Sequence, residues 1–238
     1  MENPTFVLVH GSWHGGWCWS RVAPILRKHG AGVLTPTLTG QGERYHLLTP
    51  AVGLDTHIDD VVQTLRFNDA SNIILLGHSY GGMVIRGVQD AVPDRIAALV
   101  YLDAHVPMDG DSMCALAGPE VTERLRRRVA EDGGGWRLPP SPASVFGTED
   151  LEDAAWINRL ATPMAWKAYT DRLHLAKPAA DADRKIYIRC TAHKRSYFDL
   201  AADRHRDRKG WTVRDLDAAH NVMITHPQLL AETLLTLS

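Results

Sequence analysis

The sequence predicts an α/β fold, a mostly parallel sheet flanked by helices, with a helical segment inserted into it. Three observations predict this. Short apolar runs rich in β-branched residues recur along the chain, amphipathic segments lie between most of them, and the alternation lapses once, between Pro107 and about Pro178. A strand that feeds a helix and returns to a parallel neighbour covers both faces of such a sheet with short connections.

The first run is Thr5–Val9, and residues 32–35, 72–76, Ile96–Leu102, 185–188 and 211–213 follow it. Runs that stay apolar on successive positions are strands buried on both faces, because a half-exposed strand would alternate. Helices are expected over 19–28, 54–65, 82–91, 198–206 and 227–237, each with one apolar stripe at helical spacing. Within the lapse, helical spacing alone is seen over 121–131, 150–160 and 164–175. Between the first two lie Gly133-Gly134-Gly135-Trp136 and Pro139-Pro140-Ser141-Pro142, loop sequence suited either to lie over a site or to act as a flexible link. The expected organisation is a core of residues 1–107 and 179–238 with a helical cap of 108–178.

Composition narrows the function. The chain has 238 residues, 45% of them hydrophobic, with 26 basic against 28 acidic side chains and a formal charge of −2. A domain this long buries roughly 70–75% of the surface its unfolded chain exposes, so disorder is excluded and no metal or disulfide is needed to hold a core. Near-neutral charge without like-charge runs provides no footprint for nucleic acid or for an anionic membrane. Cys18, Cys114 and Cys190 are scattered without a CxxC pair, no leader pattern is visible at the N-terminus, and the longest apolar stretch, Ile96–Leu102, is far shorter than the roughly 20 residues of a membrane span. A cytoplasmic protein with a small-molecule partner and no cofactor is expected, its oligomeric state open, with a homodimer one option.

The sharpest motif is Gly77-His78-Ser79-Tyr80-Gly81-Gly82, placed after the run at 72–76 and before the helix at 82–91. G-x-S-x-G in that context is a strand-to-helix turn that holds a serine in strained backbone angles at the C-terminal edge of a sheet. A serine hydroxyl is a weak nucleophile and needs a base from a loop at the same edge. Of twelve histidines, His220 meets that demand, sitting between the last expected strand and the final helix. A second segment, His10-Gly11-Ser12-Trp13-His14-Gly15-Gly16-Trp17, follows the first strand. Acyl transfer needs two backbone donors for the oxyanion, and the N–H groups of Tyr80 and Ser12 stand where they are required. His10 and His14, four apart, could be read as metal ligands, but glycines forbid the helix that reading needs, and a structural role is favoured.

These motifs, with Val100-Tyr101-Leu102-Asp103-Ala104 and the late Leu216-Asp217-Ala218-Ala219-His220-Asn221, resemble the α/β-hydrolase superfamily. Within it, the sequence is most similar to plant-type methylesterases and hydroxynitrile lyases and their bacterial esterase relatives. The resemblance implies an α/β-hydrolase fold, no cofactor or metal, and a pocket between core and cap. Lyases of this branch carry a threonine and a lysine where this chain has Gly11 and Asn221. Asn221 cannot supply the positive charge that cyanide chemistry requires, so the hydrolases are favoured.

One departure stands out. The family's triad carboxylate usually lies in the loop after the penultimate strand, here Arg189-Cys190-Thr191-Ala192-His193-Lys194-Arg195-Ser196, which holds no acid. Asp103, at the end of the preceding strand, is the best replacement. The alternatives are Asp199, Asp203, Asp217 or no carboxylate at all, with Asp103 then only capping the start of the insertion. Trp13, His14, Trp136, Met164 and Trp166 are candidate pocket residues. The resulting expectation is a serine hydrolase of small methyl, alkyl or aryl esters. A lyase, cyclase or lactone-opening enzyme and a silent small-molecule binder are the alternatives.

Overall fold

The strands form in the order the chain needs to alternate them with helices. In the computed structural model, which describes residues 4–176, 182, 184–194 and 196–237, they are β1 Thr5–Val9, β2 Gly32–Leu34, β3 Ile73–His78, β4 Ile96–Leu102, β7 Lys185–Cys190 and β8 Trp211–Leu216. All described pairings among these six are parallel, in the order β2-β1-β3-β4-β7-β8. Their connections carry α1 Ala23–Lys28, α2 Leu54–Phe67, α3 Gly81–Ala91 and α8 Ser196–Arg206, and β8 is followed by α9 Val222–Thr225 and α10 Pro227–Leu235. The excursion between β4 and β7 holds α4 Met113–Ala117, α5 Pro119–Glu131, α6 Leu151–Leu160 and α7 Lys167–Thr170, with a separate antiparallel ribbon of β5 Arg137–Leu138 and β6 Met164–Ala165.

Burial follows the period of two. Val7, Val9, Leu75, Leu99, Tyr101 and Tyr187 face one apolar layer, shared with Leu54, Val61 and Leu65 of α2 and with α3. Phe6, Leu8, Leu76, Val100, Ile186 and Ile188 face the other, shared with Leu26 of α1 and with Leu230 and Leu234 of α10. Each fully buried leucine or isoleucine in these layers contributes about 1.5–3 kcal/mol relative to exposure.

Three expectations need correction. Residues 164–175 do not form one helix: Pro163 pushes the preceding residue toward extended backbone, Met164–Ala165 pairs with Arg137–Leu138, and only Lys167–Thr170 coils. The helix expected over 19–28 starts at Ala23, with Pro24 in its first turn, after a separate 3₁₀ turn at Gly16–Trp19. The strand expected over 72–76 runs on to His78, so it carries its last side chains to the very edge where Ser79 turns away. The boundary drawn at 178/179 lies outside the described residues.

The topology fixes where a site can form. From β1 the chain goes to β2 on one side, then crosses back to β3 on the other side of β1. The connections leaving β1 and β3 therefore diverge from adjacent strands, and a crevice opens between them at the carboxyl ends. The turn after β3 depends on Gly77, where a β-carbon would lie 2.5 Å from the carbonyl oxygen of Gly81 and 2.9 Å from the Gly82 nitrogen. Backbone cannot retreat there as a flexible side chain would. Gly77→Ala should therefore lower stability by about 1–3 kcal/mol, the usual cost of overpacking, read as a lower urea midpoint with an unchanged slope.

Candidate active site

At the end of β3 the chain turns sharply and Ser79 takes φ +55°, in the left-handed region. Neighbouring backbone holds it there: the Ser79 N–H donates to the Leu102 carbonyl at 3.2 Å, and the Ser79 carbonyl accepts from the His105 N–H at 3.1 Å. The loop after β1 comes up against the same residue. A β-carbon on Gly11 would sit 2.9 Å from the Ser79 β-carbon and 2.9 Å from His78 Nδ1, so only glycine lets Ser12 lie this close.

His220 arrives from the loop after β8, nearly fully buried. Its Nδ1–H donates to Asp103 Oδ2 at 2.7 Å, and its carbonyl accepts from His78 Nε2–H at 3.0 Å. That hydrogen bond to a carboxylate fixes the tautomer and leaves Nε2 as the unprotonated nitrogen. Phe146 and Phe198 flank the imidazole, each with its ring centre 5.2 Å away. Asp103 sits one residue beyond β4 at φ +43°, its N–H donating to the Ile188 carbonyl at 2.7 Å. Its other oxygen, Oδ1, accepts from Arg189 Nη1 at 2.8 Å and from the Cys190 N–H at 3.2 Å. Burial pushes the Asp103 carboxyl up to about 7, against the opposing pull of Arg189 and the Cys190 N–H. Of the carboxylates considered, Asp103 is the one that bonds to His220: Asp199 bonds to Arg189, Asp203 pairs with Arg206, and Asp217 is exposed.

The loop after β1 is tied down on all sides. Ser12 Oγ hydrogen-bonds the Tyr169 hydroxyl at 2.6 Å, and the Trp13 N–H donates to Gln41 Oε1 at 2.8 Å. His14 Nδ1–H donates to the Ser12 carbonyl at 2.7 Å, and His10 bridges the Gly11 carbonyl and the Leu38 N–H. Both histidines thus serve backbone. Tyr80 donates its hydroxyl to His57 Nδ1 at 2.8 Å, since His57 spends its own N–H on the Thr39 carbonyl. Its ring stacks on that of Tyr169, centres 6.0 Å apart.

Ser12, Trp13, Ser79, Phe146, Tyr169 and His220 border one cavity of about 230 Å³. That is below the roughly 300–1,000 Å³ of a drug-sized site, and it suits a small ligand. Its remaining walls are mainly apolar or aromatic, with Tyr197 and Phe198 from α8 and Met113 and Leu125 from α4 and α5. His14 faces only a narrow side space behind Ser79. Trp136, Met164 and Trp166 do not line the cavity. Met164 is buried in the ribbon, and Trp166 packs on Tyr169, with ring centres 5.8 Å apart, so it supports the wall at one remove. The structure adds Tyr169, Phe146, Phe198, His105 and Arg189, which sequence reasoning missed. Arg189 was the detectable one, a charged residue that follows the apolar run 186–188 near the end of β7.

Buried histidines make the site acid-sensitive. Desolvation lowers His10 and His105 to about 3 and His57 to about 4, and lowers His14 and His78 as well. These groups favour the folded state above the ordinary histidine value of about 6.5 and lose that contribution as pH falls toward their folded values. Asp103 has the opposite sign, being raised, but it is one group against these five and His205, which burial also lowers. The unfolding free energy should therefore fall as pH is lowered from about 6.5 to 4, by up to about 1.4 kcal/mol per pH unit for each net proton, and Tm should fall with it. A thermal-melt series that stays flat across this window would contradict the assignment.

Comparison with known proteins agrees with this architecture. A family model described as the alpha/beta hydrolase family matches residues 6–233. The chain is 42% identical over 240 residues to a carbendazim hydrolyzing esterase of Nocardioides sp. (strain SG-4G), covering 98% of each chain. It is 30% identical over 159 residues to Methylesterase 10 of Arabidopsis thaliana, covering 64% of this chain and 57% of that one. Among solved structures, an extracellular alpha/beta-hydrolase from a Paenibacillus species is similar at 28% identity and a TM-score of 0.87, covering 98% of both chains. That protein is described as sharing structural and functional homology with tobacco salicylic acid binding protein 2. With the sheet order, the turn at Ser79 and a match over nearly its whole length, the chain belongs to the alpha/beta hydrolase family.

Proposed function

We propose that this protein is a serine hydrolase of small carboxylic esters, working through an acyl-enzyme. The observation that carries the reading is the buried His220–Asp103 hydrogen bond in the same cavity wall as a serine on a strained turn. The names of its relatives, an esterase and a methylesterase, support the substrate class. Free Cys18, Cys114 and Cys190 suit a reducing compartment such as the cytoplasm. The excursion over 108–178 acts in this reading as a cap, since α4, α5 and Phe146 close the cavity over the sheet edge.

Each group has one task. Ser79 Oγ attacks the ester carbonyl while His220 Nε2 takes its proton, and Asp103 stabilises the imidazolium that forms. The N–H groups of Ser12 and Tyr80 receive the oxyanion, and losing one such donor costs about 100- to 1,000-fold in rate. His220 then protonates the leaving alcohol. Water enters and gives a proton to His220 as it attacks the acyl carbonyl; the bond from that carbon to Ser79 Oγ then breaks, His220 returns the proton to Oγ, and the acid is freed. A cavity this small and apolar takes a short or flat acyl group. Trp13 shapes one wall and is locked there by its Nε1–H, which donates to the Leu138 carbonyl at 3.2 Å.

The test needs no substrate. Treatment with a fluorophosphonate, followed by intact-mass measurement and peptide mapping, should label Ser79 stoichiometrically, and His220→Ala should abolish the labelling. With an ester that turns over, Ser79→Ala and His220→Ala should each reduce kcat by about 10⁶-fold, and Asp103→Asn by about 10⁴-fold, as in serine proteases. Turnover that survives Ser79→Ala but not His220→Ala would instead mean lyase-type chemistry on the same fold.

A further inference from the structure

Asp103 is 1% exposed, deeper than a carboxylate can remain charged without help. The help comes from the strand that does not supply the acid. Arg189 stands at the end of β7, beside the loop in which relatives of this family usually carry their triad acid, and only 2% of its side chain is exposed. Its Nη1 donates to Asp103 Oδ1 at 2.8 Å, its Nε to Asp199 Oδ1 at 2.8 Å, and its Nη2 to the His193 carbonyl at 3.0 Å, with a further contact to the Cys190 carbonyl. The guanidinium is thus held by partners just beyond β4, on α8 and in the loop after β7.

The two oxygens of Asp103 are divided between these neighbours. Oδ1 is filled by Arg189 and the Cys190 N–H, and Oδ2 is left for His220. We propose that Arg189 is the positioning residue of the catalytic acid, holding Asp103 charged and aimed at His220, and that Asp199 draws the guanidinium toward the surface. This rests on the serine-hydrolase reading. The charges fit it. Asp103, Arg189 and Asp199 carry one net negative charge while His220 is neutral, and the imidazolium formed during reaction cancels it. A bare Asp103–Arg189 pair would be neutral already and would leave the imidazolium uncompensated. Arg189 keeps protons off the Asp103–His220 pair, and Asp199 tempers that effect so the acid still attracts the imidazolium.

Other groups around the pair leave the electrostatics to these residues. Cys190 and Tyr187 on β7 are pushed up by burial and stay neutral, with the Tyr187 hydroxyl donating to the Ala104 carbonyl at 3.1 Å. Tyr197 on α8 is also raised by burial. His105, just beyond β4, and His78, at the end of β3, are lowered by burial and are neutral.

The experiment is kcat and kcat/KM against pH at low ionic strength, with p-nitrophenyl acetate as probe, for wild type and for Arg189→Met, Arg189→Lys and Asp199→Asn. Removing the positive charge makes the pair take its first proton at higher pH. The acidic limb of Arg189→Met should therefore move up by about one unit or more, an approximately tenfold loss of kcat below the limb, with KM nearly unchanged and the rate recovering at alkaline pH. Arg189→Lys should move it less. Asp199→Asn should move it down, by a fraction of a unit, because that side chain is 46% exposed and screened. A packing defect cannot displace the limb in opposite directions. Parallel profiles with a common limb would overturn the proposal, whatever the loss of rate. Should Arg189→Met fail to fold, Arg189→Lys and Asp199→Asn decide the matter: opposite displacements support the proposal and a common one overturns it. Proton NMR of the low-field Nδ1–H shared by His220 and Asp103, titrated without substrate, separates the two readings. The predicted shifts there without any ester turnover would sink the hydrolase reading and leave the charge arrangement standing.

Discussion

Everything in the site hangs on one strained residue. A non-glycine backbone at φ +55° costs of order 1–3 kcal/mol, and Ser79 is kept there by hydrogen bonds on both sides, to the Leu102 carbonyl and from the His105 N–H. Both partners come from β4 and its exit. The strand that clamps the serine is thus the strand that delivers Asp103 one residue later, itself at φ +43°. Nucleophile and acid are therefore registered against each other by backbone, before any side chain is considered. Register along a parallel ladder is hard to shift, because β3 and β4 are buried on both faces and a one-residue slip would exchange the two apolar layers.

From this edge the remaining groups follow by topology. The crossing back from β2 to β3 opens the crevice, and the first loop fills it with glycine where Ser79 would otherwise be crowded. β8 then returns His220 from the far side of the sheet, across β7 and over Asp103. The dry surroundings serve two purposes. They keep the neighbouring histidines neutral, and they strengthen each interaction the carboxylate makes.

The sequence made the core legible because strands buried on both faces announce themselves as unbroken apolar runs, and the turn at Gly77-His78-Ser79-Tyr80-Gly81 has a composition that few other structures require. Asp103 was singled out for a different reason: the expected loop lacks an acid, and some hydrolases of the superfamily that the sequence resembles take theirs from the end of the preceding strand. The cavity walls, apart from Trp13 beside Ser12, were not legible. Trp136, Met164 and Trp166 stand out by residue type, but Met164 pairs in a two-residue ribbon whose strands are too short to carry a period. Phe146 lies in a 3₁₀ turn after a proline-rich stretch and Tyr169 in a four-residue helix, elements whose existence depends on tertiary contacts. Arg189 stands out by type after the apolar run 186–188, but only its contacts with Asp103 and Asp199 show what it does.

The hydrogen bond between Ser12 and Tyr169 ties the first loop of the core to the excursion between β4 and β7. One residue thereby belongs to two structures that would otherwise evolve separately. A lineage that reshapes its pocket by altering the excursion also disturbs the loop that flanks the serine, so new substrates and altered turnover arrive together. Selection for a wider pocket at Tyr169 must be followed by compensation at Ser12, and exchanges at these two positions are expected to travel as a pair.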